Sequence, residues 1–160
     1  MKEELFPLDL PFQLAVPIEV RFRDLDAMGH VNNAVYFTYF EQARIHYIRH
    51  LAQLSPPLEP FGMIVAEATC QYRAPITMGM PIRVWIRVAE VRQRSFIFLY
   101  KIERRDNGQI MAVGRSVQVA YDYARGTPVP IPEPWRERFL QFEEGAWTHT
   151  LHELVERKAP

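Results

Sequence analysis

Apolar and polar residues alternate along 15–23 (AVPIEVRFR), with Val16, Ile18, Val20 and Phe22 on one side, and this period of two predicts a half-buried strand. The next apolar stretch has a different rhythm. From about Asn33 to Leu51, NAVYFTYFEQARIHYIRHL contains no glycine or proline. Val35, Phe37, Phe40, Ile45, Ile48 and Leu51, with Tyr36, Tyr39 and Tyr47, cover most of a helical circumference, and a helix apolar nearly all round is a buried one. At 1.5 Å per residue it spans roughly 28 Å, about the width of a small domain. The helix pattern ends at LSPPLEPFG (54–62), with three prolines and a glycine.

Four strand patterns follow, at about 63–74, 81–91, 95–104 and 109–121. Alternation is plain in Ile82, Val84, Ile86, Val88 and in Phe96, Phe98, Tyr100, Ile102. The links RQR and RDNG are short, and Asn107-Gly108 is a hairpin signal, so the last three strands are expected to be antiparallel neighbours. The order of elements predicts an α+β fold, a curved antiparallel sheet of about five strands wrapped around one long central helix. From about residue 123 a proline-rich arm leads to short helices near Glu133–Phe142 and Thr148–Arg157. Residues 1–160 are expected to form a single domain.

Composition narrows the function. Nineteen basic residues balance nineteen acidic ones, so the basic field of a nucleic-acid binder is missing from the chain as a whole. The start, MKEELFPLDLPFQL, has acids where a secretory signal carries basic residues, and no later stretch is apolar enough for a membrane span. A cytoplasmic protein is expected. The single cysteine, Cys70, permits no internal disulfide and no CxxC motif, and it shares its strand face with Ile64, Ala66, Ala68 and Tyr72, as a packed thiol does. His46 and His50 are spaced i, i+4, but no HExxH glutamate lies between them and no third metal ligand is evident. No G-x-S-x-G elbow is present, which argues against a serine hydrolase of the α/β type.

The concentrated chemistry is DLDAMGHVNN (24–33), at the junction of the first strand and the long helix. Amides exposed at a helix start carry partial positive charge, so those of Asn33 and Ala34 suit a developing oxyanion. Asp26, just upstream, is placed to act as general base toward water or as nucleophile toward an acyl carbon. The same residue types also favour turns and N-caps, and a structural role for Asp24, Asp26 and the asparagines is the competing reading.

RFRDLDAMGHVNNAVYFTYFEQAR resembles the signature of the hotdog-fold acyl-CoA thioesterases of the 4-hydroxybenzoyl-CoA type: a D-x-D-x-x-G loop leading into a helix with an F-E-x-A-R-like segment. RQRSFIFLYKI and GTPVPIPEPWRERF resemble that family's hairpin into the central strand and its G-x-P-x-P-I-P tail, so the likeness runs from about residue 15 to 140. It implies a hotdog fold, hydrolysis of an acyl-CoA thioester without metal or bound cofactor, Asp26 as the catalytic acid and the Asn33 amide as the carbonyl's donor. Glu41, eight residues after Asn33, matches the helix glutamate of another hotdog branch, with a pairing to Arg44 or Arg73 as the alternative. His30 matches a histidine in the plant-type acyl-carrier-protein thioesterases, which carry an asparagine where this chain has Met28. The resemblance further implies that Arg92, Arg94 and Ser95 hold the nucleotide end of coenzyme A, and that the chain forms a homodimer or homotetramer. A charged hairpin tip is also an ordinary solvated turn. The rivals are a non-catalytic acyl-CoA-binding module and a dehydratase of 3-hydroxyacyl thioesters, whose His-acid spacing is not matched here.

Overall fold

Strand patterns with apolar residues on one side build a sheet with one face against a helix, and a computed structural model describing residues 10–144 has this form. Its strands are β1 (Leu14–Ile18), β2 (Met63–Tyr72), β3 (Ile82–Val91), β4 (Ser95–Arg104), β5 (Ile110–Asp122) and β6 (Thr127–Pro128). The order across the sheet is β1-β3-β4-β5-β2, every pair antiparallel, with β6 added to β5. Helix α1 (Val35–Gln53) packs on one face, and α2 (Glu133–Glu144) closes one end. Among the described residues no helix is long and apolar enough to cross a membrane. The predicted helix near Thr148–Arg157 lies outside the described residues.

The inner face is set by alternation: Ile82, Val84, Ile86 and Val88 of β3 and Phe96, Phe98, Tyr100 and Ile102 of β4 are buried. Tyr36, Tyr39, Phe40, Ala43, Tyr47 and Leu51 of α1 meet this face. Phe40 stacks on Tyr100 with ring centroids 4.3 Å apart, and Tyr47 lies edge-on to Phe98 at 5.1 Å. Such contacts add about 0.5–1.5 kcal/mol each beyond simple burial. Gly114 is required where α1 crosses β5, because a Cβ there would sit 2.4 Å from the Phe40 ring.

Three expectations are corrected. The buried residues of α1 form one stripe rather than nearly the whole circumference; Ile45 is 43% exposed. The first strand stops at Ile18, and Phe22, expected on its inner side, is 82% exposed on a short 3₁₀ turn (Phe22–Asp24). Finally, β2 is an edge strand, with Val65 through Thr69 all exposed and a bulge between Val65 and Glu67, so Ala66 and Ala68 are not core; Cys70 is half-buried.

Helix α2 ties distant segments together. The Arg138 guanidinium donates to the carbonyls of Leu51, Leu54 and Pro56 at the end of α1, and Trp135 Nε1 donates to the Glu59 carbonyl at 2.7 Å. A second buried cluster lies beside it: Glu143 Oε1 accepts from the Tyr47 hydroxyl at 2.7 Å and the Val88 amide at 3.2 Å, while Arg87 stands 3.8 Å from Oε2. Burial pushes the Glu143 carboxyl up to about 7 against the pull of Arg87 and these two donors.

Candidate active site

The two aspartates of the loop are separated by burial. Asp24 is buried, its carboxylate accepting from the Arg21 amide at 2.9 Å, the Arg21 guanidinium at 2.9 Å and the Tyr39 hydroxyl at 2.8 Å. Burial alone works to raise this carboxyl, but the hydrogen bonds from Arg21 and Tyr39 overcome it and hold it below its ordinary value. Its carbonyl also accepts from the Asn32 amide at 2.8 Å. Asp24 is therefore the anchor of the loop.

Asp26 is exposed. Its Oδ1 accepts from the amides of Met28 at 2.9 Å and His30 at 3.3 Å, an Asx-type turn closed by the Gly29 amide on the Asp26 carbonyl at 3.0 Å. Gly29 has a φ of +78°, a conformation that side-chain-bearing residues rarely adopt. Short bridges from Leu25 to Val31 and from His30 to Thr77 fix the loop on both sides. Among the described residues Asp26 Oδ2 has no hydrogen-bond partner, so one carboxylate oxygen is held and the other is available.

The helix begins two residues later than the apolar pattern suggests, and the reason bears on the chemistry. Asn32 makes its own turn: its Oδ1 accepts from the Ala34 amide and its carbonyl from the Val35 amide, each at 2.9 Å. The Ala34 amide, one of two expected oxyanion donors, is thus already used. The Asn33 amide has no acceptor among the described residues. A cleft of about 390 Å³ is lined by Asp26, His30, Asn33, Tyr36, Tyr72 and Arg73, among others. Its size is at the lower end for small-molecule sites.

Asp26, His30 and Asn33 therefore come together, whereas the other sequence candidates do not join them. Glu41 stands about 12 Å further along α1 and lines a different cleft with Arg44, Ile48 and Gln118. It makes no ion pair with Arg44 or Arg73 among the described residues; Arg44 donates to the Tyr100 hydroxyl at 3.2 Å and Arg73 to Gln71 Oε1 at 3.1 Å. Arg92, Arg94 and Ser95 form the β3–β4 turn, closed by the Arg92 amide on the Ser95 carbonyl at 2.7 Å. Ser95 is level with Val119, which pairs with Ile64 of β2, whereas Asn33 meets Tyr72 at the other end of that strand. Tyr72 lies eight positions after Ile64 along the strand, about 26 Å. Burial pushes the Cys70 thiol up to about 11, which leaves it without thiolate character.

Tyr72 was not among the sequence candidates. Its hydroxyl donates to the Asn33 carbonyl at 2.7 Å. Nothing local in β2 announces this contact, because its partner lies 39 residues away.

The antiparallel sheet, the single long helix and the polar junction at its start have counterparts in known proteins. A family model described as the thioesterase-like superfamily matches residues 20–139. The chain belongs to the thioesterase-like superfamily. It is a thioesterase of the hotdog fold, α+β as expected. An acyl-CoA thioester hydrolase from Escherichia coli, YbgC, is 25% identical over 127 residues, covering 78% of this chain and 94% of its own. A thioesterase from Thermus thermophilus, solved in complex with coenzyme A and Zn, is 35% identical with a TM-score of 0.70, covering 81% of this chain and 98% of that one. The chloroplastic acyl-acyl carrier protein thioesterase ATL3 of Arabidopsis thaliana is 26% identical over 129 residues, covering 79% of this chain and 67% of its own.

Proposed function

We propose that this thioesterase hydrolyses acyl-CoA to a free acid and coenzyme A, with Asp26 as nucleophile or general base and the Asn33 amide as the oxyanion donor. One observation carries the reading: a carboxylate oxygen and an amide, both without a partner among the described residues, line the same cleft at the start of α1. The carbonyl carbon of a thioester seated there has the acid on one side, while its oxygen meets the amide. Removing one such donor typically costs a hundredfold or more. A thiolate leaves without the acid assistance an amine needs. His30 holds the loop through its backbone, its amide donating to Asp26 and its carbonyl accepting the Asp26 amide at 2.8 Å. Glu41 is a less favoured catalytic acid, since it lines another cleft.

The basic turn at Arg92, Arg94 and Ser95 is assigned to the coenzyme A phosphates, which guanidinium groups suit. Its distance from Asp26 within one chain calls for a second copy. Among the described residues β2 has a free edge and a run of exposed residues, and two such strands paired antiparallel would set the Ile64 end of one beside the Tyr72 end of the other. The proposed enzyme is thus at least a homodimer, with each copy's turn serving the other's cleft.

The test is release of free coenzyme A thiol from short, long and aromatic acyl-CoAs, wild type against Asp26→Asn. Turnover lost in the variant supports the assignment. Unchanged turnover moves the chemistry to Glu41, and binding without turnover by the wild type overturns it. The likeness to ATL3 makes a carrier-protein thioester the second substrate to assay.

A further inference from the structure

We infer that Tyr72 is a positioning residue for the hydrolysis, fixing from the edge of the sheet the peptide that aims the Asn33 amide into the cleft. The inference rests on the reading of that amide as the oxyanion donor, and deepens it.

The backbone at Asn33 is held in an unusual way. The peptide joining Asn33 to Ala34 is gripped at both ends: its carbonyl accepts from the Tyr72 hydroxyl at 2.7 Å, and its N–H donates to Asn32 Oδ1 at 2.9 Å. Asn32 lies on the same loop, so its bond moves with the loop. Among the described residues the Tyr72 bond is the one that references Asn33 to a separate element. Asn33 and Ala34 precede the first full turn of α1, and no side chain caps the helix, so the helical ladder does not fix this peptide. The Asn33 N–H belongs to the preceding peptide, whose Asn32 carbonyl accepts from the Val35 amide at 2.9 Å; with the Asn33–Ala34 plane held as well, both peptides flanking Asn33 are fixed where this residue lines the cleft.

The strut itself is well seated. Tyr72 is paired with Ala112 in β5, and its ring meets that of Tyr36 edge-on at 4.8 Å and 88°. Tyr36 is buried in the first turn of α1. Burial and the neighbouring Cys70 push the Tyr72 hydroxyl above its ordinary value, so it remains a protonated donor at working pH. The hydroxyl donates to the carbonyl of the very residue whose amide is assigned to the oxyanion, and the role inferred for it runs through that bond. An oxyanion donor is effective over a narrow range of distance, and misplacements of about 1 Å cost up to a hundredfold in rate.

Tyr72→Phe keeps the ring against Tyr36 and removes the strut, together with the hydroxyl's contact with the Cys70 thiol. We expect kcat to fall about tenfold, with KM within about twofold and the melting temperature little changed. A merely structural role would lower the melting temperature and leave kcat per folded molecule intact. The second readout is the infrared carbonyl stretch of hexanoyl-CoA labelled with ¹³C at the carbonyl, bound to Asp26→Asn and to Asp26→Asn/Tyr72→Phe. A polarising donor lowers this frequency, and the lowering should be smaller and the band broader in the double variant. If Asp26→Asn itself shows no lowering relative to free thioester, the oxyanion reading of Asn33 falls. If it does, while Tyr72→Phe retains wild-type kcat or the double variant retains the full lowering, the role of Tyr72 alone is overturned.

Discussion

Asp24 and Asp26 are two positions apart on one loop, carry the same carboxylate, and have opposite uses. Asp24 is enclosed by Arg21 and Tyr39 and its hydrogen-bonding capacity is consumed holding the loop to the start of the 3₁₀ turn and to α1. Asp26 is in the open, held by loop amides at one oxygen and, among the described residues, unclaimed at the other. A buried, fully bonded carboxylate stabilises and does no chemistry, because any reactant would first have to displace its partners. An exposed one, oriented through a single oxygen, is ready to react. The loop needs both, since the reactive acid is only as well placed as its anchor.

Substitutions should separate the two uses. The largest effect is expected from Asp26→Asn, which should lower kcat by roughly a hundredfold or more, about 2.7 kcal/mol of barrier, with an unchanged melting temperature. Asp24→Asn should do the reverse in kind. It removes the partner charge of Arg21, and a stability loss of about 1–3 kcal/mol is expected in urea titrations, with any fall in activity following from the loosened loop. A stable Asp24→Asn protein with no turnover would break the comparison.

A smaller effect sharpens it by pH. The Asp24 carboxyl is held below its ordinary 3.8, so its stabilisation is complete above that value and is lost as pH falls through the folded one. Glu143 runs the other way. Its folded value, raised from 4.5 to about 7, means the native state keeps a proton that the unfolded chain has released, so this contribution to stability falls as pH rises between those values. Stability measured against pH should therefore lose its downward slope over that window in Glu143→Gln, while Asp24→Asn should alter only the acid limb.

The sequence reading carried far in this molecule because most of the fold depends on local period and turn chemistry. β4 matches its predicted range, and Asn107-Gly108 closes the hairpin with Gly108 at a φ of +75°. Asp26, His30 and Asn33 were legible as a group because they are contiguous on one loop. What stayed hidden was set by contacts between distant segments. Phe22 continued an alternating pattern, but the anchoring of Asp24 turns the chain before Phe22 can pair. Tyr47 looked like helix core and proved to be a donor to Glu143, 96 residues away. Whether the Ala34 amide was free depended on the Asn32 rotamer, and the place of the Arg92–Ser95 turn on the strand order; neither has a linear signature.

Helix α2 leads to one more expectation. Because Arg138 binds the carbonyls at the end of α1 and Trp135 binds Glu59, the last turn of α1 and the proline segment after it cannot open without releasing α2. In amide hydrogen exchange these segments should lose protection together, as one cooperative unit with a shared opening free energy. Arg138→Leu should accelerate exchange at the end of α1 while leaving its first turns, beside Asn33, as slow as before. The two ends of this single helix would then belong to different units of local unfolding, one set by α2 and the other by the sheet.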